Sequence, residues 1–364
     1  MSFPTDISSI LERVDQISPR KYARTRNFQN GAVTRLSPYI SRGVISTQFV
    51  FNQFLEKGFE IKSVEKFYQE LAWRDYWQRK WQALGNGINS DLSAPFYEPK
   101  HDQIPSAILS SSTGINAMDV ALDELYDTGY MHNHMRMYVA GTICPIGKSH
   151  WHLPAKWMYY HLLDADWASN ALSWQWVSGT SRNRIYIANQ ENINKYWNDT
   201  QRNTFLDRPY AELPPQEIPS ELQKTESLQL KTELSSHRGI EINLSLPTLV
   251  YNNYNLDPFW KAEQEANRIL LLEPEHFAQY PMSSKTIDFI LDLSKNIEGI
   301  QLFVGSFSEL EAALGESLIY FKEHPLNDHY RGVEEERDWM FPEVTAATGS
   351  FFSYWKKCLK SLNA

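Results

Sequence analysis

The chain of 364 residues is 42% hydrophobic and 13% aromatic, which supports a packed core and excludes an intrinsically disordered protein. Its net charge of −9 speaks against a uniformly basic nucleic-acid binder, but the first 200 residues hold 20 basic and 19 acidic side chains and the rest 15 and 25, so the acidity belongs to the second part. No apolar run is long enough to span a membrane, MSFPTDISSI has no signal-peptide pattern, and Cys144 and Cys358 make no metal or redox pair, so a reduced cytoplasmic protein is expected.

Early in the chain, Arg20, Lys21, Arg24 and Arg26 cluster, either as a phosphate-facing patch or as an ordinary solvated face. SPYISRGVISTQFVFNQFL follows, with Ser37 as N-cap, Pro38 at the first helical position and Ser46 as a second cap after the Gly43 break. In VEKFYQELAWRDYWQRKWQAL, Trp73, Trp77 and Trp81 recur every four residues beside Val64, Phe67 and Leu71, which predicts one broad apolar helix face. NAMDVALDELYDTG predicts a helix capped by Asn116 and stopped by Gly129. No period-2 strand pattern occurs in residues 1–200. Residues 207–239 turn proline-rich and charged, as a linker or a surface-wrapped segment does. Beyond residue 240, TLVYNNYNL, RILLLE, IQLFVGS and SLIYFKE alternate with helical patterns such as KTIDFILDLSKNI, which predicts a small parallel α/β sheet. The expected domains are 1–206, helical; 207–239, linker; and 240–364, α/β.

The densest chemistry lies in LLDADWASNALSWQW, from Leu162 to Trp176. As a helix it places Asp166, Asn170 and Trp174 on one stripe, turns Trp176 to nearly the opposite side, and stops at Gly179. Asp164 precedes the helix, where its carboxylate can cap or pair. Buried carboxylates need partners, and GYMHNHMRMYVAG supplies Asn133 and Arg136 one turn apart, so an Arg–Asp pair beside a polar heteroaromatic ligand would satisfy the charges. Two aspartates also suit a metal, but a third oxygen ligand is lacking nearby, and no metal site is assigned. The pairs His132/His134 and His150/His152 point apart on helices and read as ordinary polar histidines. Core filling accounts for one or two tryptophans, and spacing alone does not bring Trp151 to Trp174.

Four blocks, RTRNFQNGAVTRLSPYISRGVIS, ELAWRDYW, TGYMHNHMRM and LLDADWASNALSWQWVSGT, resemble in order and spacing the α-helical FAD-binding domain of the photolyase/cryptochrome family, over residues 20–186. The resemblance implies a bent FAD in a central cavity. Tyr22 and the run Thr34, Arg35, Leu36, Ser37 would line its diphosphate, as hydroxyls and helix N-termini suit an anion. Phe67 stands where the family often has Trp near the cofactor. Asp164 and Asp166 would face the flavin and the adenine–ribose side, Arg136 would pair with Asp164, and Asn170 would sit near flavin N5. An amide there is more like photolyases than plant cryptochromes; unable to release a proton, it favours a fully reduced flavin. Trp174 and Trp151 match the flavin-proximal and middle members of the family's light-driven tryptophan chain. The distal member has no clear match, since APFYEPK offers only Phe96 and Tyr97.

By the same resemblance, Glu70 and Asn133 would contact a cyclobutane pyrimidine dimer, Trp73 and Trp176 would stack on or wedge it, and Met137 would line the pocket. The implied activity is a carbon–carbon lyase reaction, light-dependent repair of such dimers in damaged DNA by electron transfer from excited FADH⁻; the alternative is a cryptochrome-like blue-light photoreceptor without repair activity. Val33 replaces a hydroxyl of the phosphate motif, and the family's proline-rich continuation after Gly179 is missing. Family members usually begin with an α/β antenna domain. Here PTLVYNNYNLDP, RILLLEPEHF, IQLFVGSFSEL and LIYFKEHP resemble its strands, so a shortened antenna-like module is expected at the C-terminal side, with no second chromophore identified.

Overall fold

The computed structural model describes residues 3–345 and 349–362. They form two compact units interleaved along the chain: one built from Ser18–Val33 and Asn86–Leu230, the other from the N-terminal stretch up to Ile17, Thr34–Gly85, and the chain from Lys231 onward.

The first unit is helical, with its main helices at Pro19–Thr25, Asn116–Thr128, Asn133–Gly141, His152–His161, Trp167–Ser178 and Gln190–Trp197. Asn116 is the first helical residue rather than the N-cap; Asp119 reaches back instead and accepts from the Thr113 backbone N–H at 2.8 Å and hydroxyl at 2.6 Å. Gly129 ends that helix at φ +71°, where a Cβ would stand 2.7 Å from Leu163 Cγ, so glycine is required twice over. Gly179 ends Trp167–Ser178 in the same left-handed conformation. One antiparallel pair of two-residue strands, Ile104–Pro105 with Thr225–Glu226, holds the proline-rich segment onto this unit.

The second unit joins helices to a parallel sheet. Its long helix, Ile61–Leu84, buries Val64, Phe67 and Trp81 of the two expected stripes together with Tyr68 and Tyr76, whereas Leu71, Trp73 and Trp77 are only half-buried. Ser46 caps Thr47–Glu56 by accepting from Phe49 N–H at 2.9 Å, whereas Ser37 is already the first residue of the short helix Ser37–Ser41. The sheet strands are β1 (Thr248–Tyr251), β2 (Asn267–Leu272), β3 (Ile300–Val304), β4 (Ile319–Lys322) and β5 (Val333–Glu335). Every pairing is parallel and the spatial order is β3-β2-β1-β4-β5. β1 and most of β2 are buried, hence their continuous apolar runs. Val250, Ile269, Leu271, Phe303 and Phe321 from the sheet pack with Phe307, Leu310 and Leu314 of helix Phe307–Leu314. The parallel α/β module is thus as expected, with β5 as one strand more than the sequence signalled. Among the described residues no helix is long and apolar enough to cross a membrane.

Candidate functional site

In the helical unit the LLDADW segment is assembled by polar contacts. Asp166 N-caps Trp167–Ser178, accepting from the Ser169 hydroxyl at 2.9 Å and its N–H at 3.4 Å. Asp164, just upstream, takes a charge-assisted hydrogen bond from Arg136 Nη2 at 3.0 Å, and its side chain is only 3% exposed. Arg136 also donates through Nε to the Met131 carbonyl at 2.8 Å, so the guanidinium is fixed from two sides. The pair anticipated from sequence therefore exists.

Asn170 lies one turn into the same helix. Its Nδ2 donates to the Ala155 carbonyl at 2.8 Å, which ties the helix to His152–His161 and turns the amide oxygen the other way. Trp174, a further turn on, is buried, and so is Trp151 at the entry to His152–His161. The two indoles are not in ring contact with each other; the rings against Trp151 are those of His150 at 5.8 Å and His152 at 5.3 Å. Burial pushes His152 down to about 4, with Lys156 and His150 adding to the effect, so it stays neutral near pH 7. The Tyr97 hydroxyl donates to the Ser149 carbonyl at 2.6 Å, and burial holds its proton far more tightly than in water.

Of the residues assigned to a lesion in this unit, Asn133 is exposed, and Met137 and Trp176 are half-buried. The Arg182 guanidinium lies 3.5 Å from the centroid of the Trp176 ring, and Tyr186 flanks it at 5.6 Å, two neighbours that the sequence did not single out. His132 caps Asn133–Gly141, with Nδ1 accepting from His134 N–H at 3.2 Å, and burial lowers it to about 4. Tyr22 is half-buried on Pro19–Thr25, where Arg20, Lys21 and Arg24 are exposed.

The other expected site residues belong to the second unit. Arg35 adopts φ +55°, unusual for a non-glycine residue, and its Nε is buried with no hydrogen-bond partner among the described residues. That orphaned donor, in a run that also carries the Thr34 and Ser37 hydroxyls, suits an anion. Leu36 and Phe67 are each 1% exposed, and Phe67 packs edge-on to Phe54 at 5.1 Å. Glu70 pairs with Lys66 at 3.0 Å one turn away. Trp73 is stacked on Phe351 of helix Phe351–Ser361, with centroids 3.8 Å apart and planes 9° from parallel. One face of the ring assigned to lesion stacking is thus covered by the chain itself. The fastening is extensive: Tyr76 OH donates to the Gly349 carbonyl at 2.7 Å and Trp355 Nε1 to Glu65 at 2.8 Å.

Comparison with known proteins matches the later part of the segment singled out by sequence. Residues 67–210 match the family model described as the FAD binding domain of DNA photolyase. A deoxyribodipyrimidine photo-lyase of Streptomyces griseus is 35% identical over 155 residues, 41% of this chain and 32% of that protein. A chloroplastic/mitochondrial cryptochrome DASH of Ostreococcus tauri is 30% identical over 188 residues, 49% of this chain and 34% of that protein. The chain thus spans about a third of the length of these curated relatives. Among solved structures, a cryptochrome of Synechocystis sp. PCC6803 aligns with a TM-score of 0.48 at 24% identity, over 54% of this chain and 44% of that one. Residues 67–210 are thus similar to the FAD binding domain of DNA photolyase, the segment these relatives share with the chain.

Proposed function

We propose that the chain is a light-dependent FAD flavoprotein that repairs cyclobutane pyrimidine dimers in DNA. The observation that carries this reading is the fixed Arg136–Asp164 pair at the head of the helix that bears Asn170 and Trp174. When bound, FAD supplies the light absorption and the electron. Arg136 and Asp164 present a rigid donor–acceptor pair to a polar heteroaromatic edge. Because the Asn170 amide nitrogen is committed to Ala155, its oxygen meets an N–H donor, as a reduced flavin ring would offer. Trp174 and Trp151 would relay electrons inward, toward a bound flavin. Asn133, Met137 and Trp176 receive an extruded lesion, for which a damaged pair costs less to unstack than an intact one, and exposed Arg20, Lys21 and Arg24 meet phosphates. In the second unit, Arg35 with Thr34 and Ser37 serves an anion, and Glu70 a hydrogen bond to the lesion.

A second reading, a blue-light photoreceptor without repair activity, is favoured by one observation: Phe351 already occupies the face of Trp73. The purified protein, illuminated with blue light and mixed with ultraviolet-damaged single- and double-stranded oligonucleotides, separates the two. Flavin absorption with light-only repair supports the first; flavin absorption without repair supports the second; a colourless protein that takes up no FAD overturns both. Glu70→Ala should retain flavin while lowering the repair yield.

A further inference from the structure

The Trp151 indole N–H points at a carboxylate. Its Nε1 donates to Asp91 Oδ1 at 2.6 Å, short even for a charge-assisted N–H···O bond. The Trp151 residue is fully buried, whereas the Asp91 side chain is 28% exposed, so the bond runs from core toward solvent. His150 Nε2 approaches the same oxygen at 3.1 Å and is itself partly exposed.

The placement of Asp91 is held from both sides. Gln175, fully buried on the helix Trp167–Ser178, donates from Nε2 to the Ile88 carbonyl at 3.1 Å and accepts from Leu92 N–H at 3.1 Å. Trp167 Nε1 donates to Asn89 Oδ1 at 2.8 Å, and Ser93 N–H to the Thr180 carbonyl at 2.6 Å. A surface loop without regular structure is thus locked on both sides of residue 91 by the element that carries Trp174.

We propose that Asp91 is the proton acceptor for oxidised Trp151, which makes Trp151 the terminal radical of the electron path; this rests on the reading that Trp174 and Trp151 serve photoreduction. Losing one electron turns an indole N–H from a very weak acid into an effective one. The electron leaves Trp151 for the oxidised Trp174; bound FAD, in its oxidised form and under light, would supply the oxidant for Trp174. The Nε1–H bond then breaks, its electron pair stays on nitrogen, and an O–H bond forms at Asp91 Oδ1. The products are a neutral indolyl radical and a neutral carboxylic acid, and the electron hole is trapped because its return requires the proton to return first. No third tryptophan is then needed. His150 and solvent then take the proton from Asp91.

Flash photolysis of the FAD-loaded full chain tests this, reading the visible absorption that distinguishes the tryptophan radical cation from the neutral radical. Time-resolved infrared difference spectra with isotope-labelled aspartate follow the carboxyl group. In the unaltered protein the cation should convert to the neutral radical more slowly in D₂O, at a rate independent of buffer concentration, as a carboxylic-acid carbonyl band rises. Asp91→Asn should slow that conversion about 10²-fold, the size of a positioned-base effect, and abolish the band; Asp91→Glu should restore both. Conversion at an unchanged rate in Asp91→Asn, or no aspartic-acid band in the unaltered protein, overturns the assignment while the tryptophan path stands. Photoreduction unaffected by Trp151→Phe overturns the path as well.

Discussion

Asp75 offers a quantitative test of the second unit. Its carboxyl group is buried on the long helix Ile61–Leu84, accepting from the Thr47 hydroxyl at 2.7 Å and from Met340 N–H at 2.8 Å. Desolvation outweighs these bonds and the Arg337 and Arg79 charges, and raises it from 3.8 to about 6. Tyr354 and Cys358 also face it from Phe351–Ser361. Since the folded state holds this proton more tightly than the unfolded one, the stabilisation is fully present below about pH 4 and is lost as pH rises through about 6. The full effect is about 3 kcal/mol, of which roughly 1–2 kcal/mol falls between pH 7.5 and pH 5. Asp75→Asn is the control, because an amide can accept from Met340 N–H and donate to the Thr47 oxygen. Urea unfolding of both proteins across this range should show the unaltered protein gaining that 1–2 kcal/mol relative to the variant on acidification. A difference that stays flat with pH would refute the argument that burial governs this group.

Four further outcomes are expected. Arg136→Met removes the guanidinium from a carboxylate 3% exposed, so it should cost about 3–5 kcal/mol and lower FAD occupancy, measured by thermal unfolding and by the flavin-to-protein absorbance ratio. Gly129→Ala forces a side chain into the left-handed region against Leu163 and should cost about 1–3 kcal/mol, read from the denaturation midpoint. Phe351→Ala empties the stack on Trp73 and should destabilise the second unit by about 3–5 kcal/mol in the same assay. Trp174→Phe should leave the flavin spectrum intact while slowing photoreduction under steady blue light by about 10-fold or more, the equivalent of roughly 1.4 kcal/mol or more in barrier.

Features set within a few residues were legible from sequence. The Ser46 cap and the left-handed stops at Gly129 and Gly179 depend on local backbone chemistry, whereas the N-cap of Trp167–Ser178 is Asp166 and not Asp164. The rule that a buried carboxylate seeks a cation pointed to Arg136, and the family resemblance named Asp164 as its partner. Asn116 misled because an asparagine at a helix start is a good cap, yet Asp119 was better placed to reach back to Thr113. Long-range partners left no trace: the Asp75–Met340 bond joins residues 265 apart, and the stack of Phe351 on Trp73 joins segments of unlike pattern. Asp91 was silent for another reason. An aspartate in a polar loop looks like any solvated residue until the fold brings a buried indole to it.

The interleaving of the two units bears on synthesis. Every stretch of the helical unit has been synthesised once Leu230 is made, so it can close well before the chain is complete. The helices of Thr34–Gly85, made long before, wait for the sheet and the last helix. At roughly 5–20 residues per second that delay is tens of seconds, during which the apolar side of Ile61–Leu84, tryptophans included, has only nascent neighbours. Chaperone dependence during expression should therefore follow that helix, and shortening the chain from its C-terminal end should strand it.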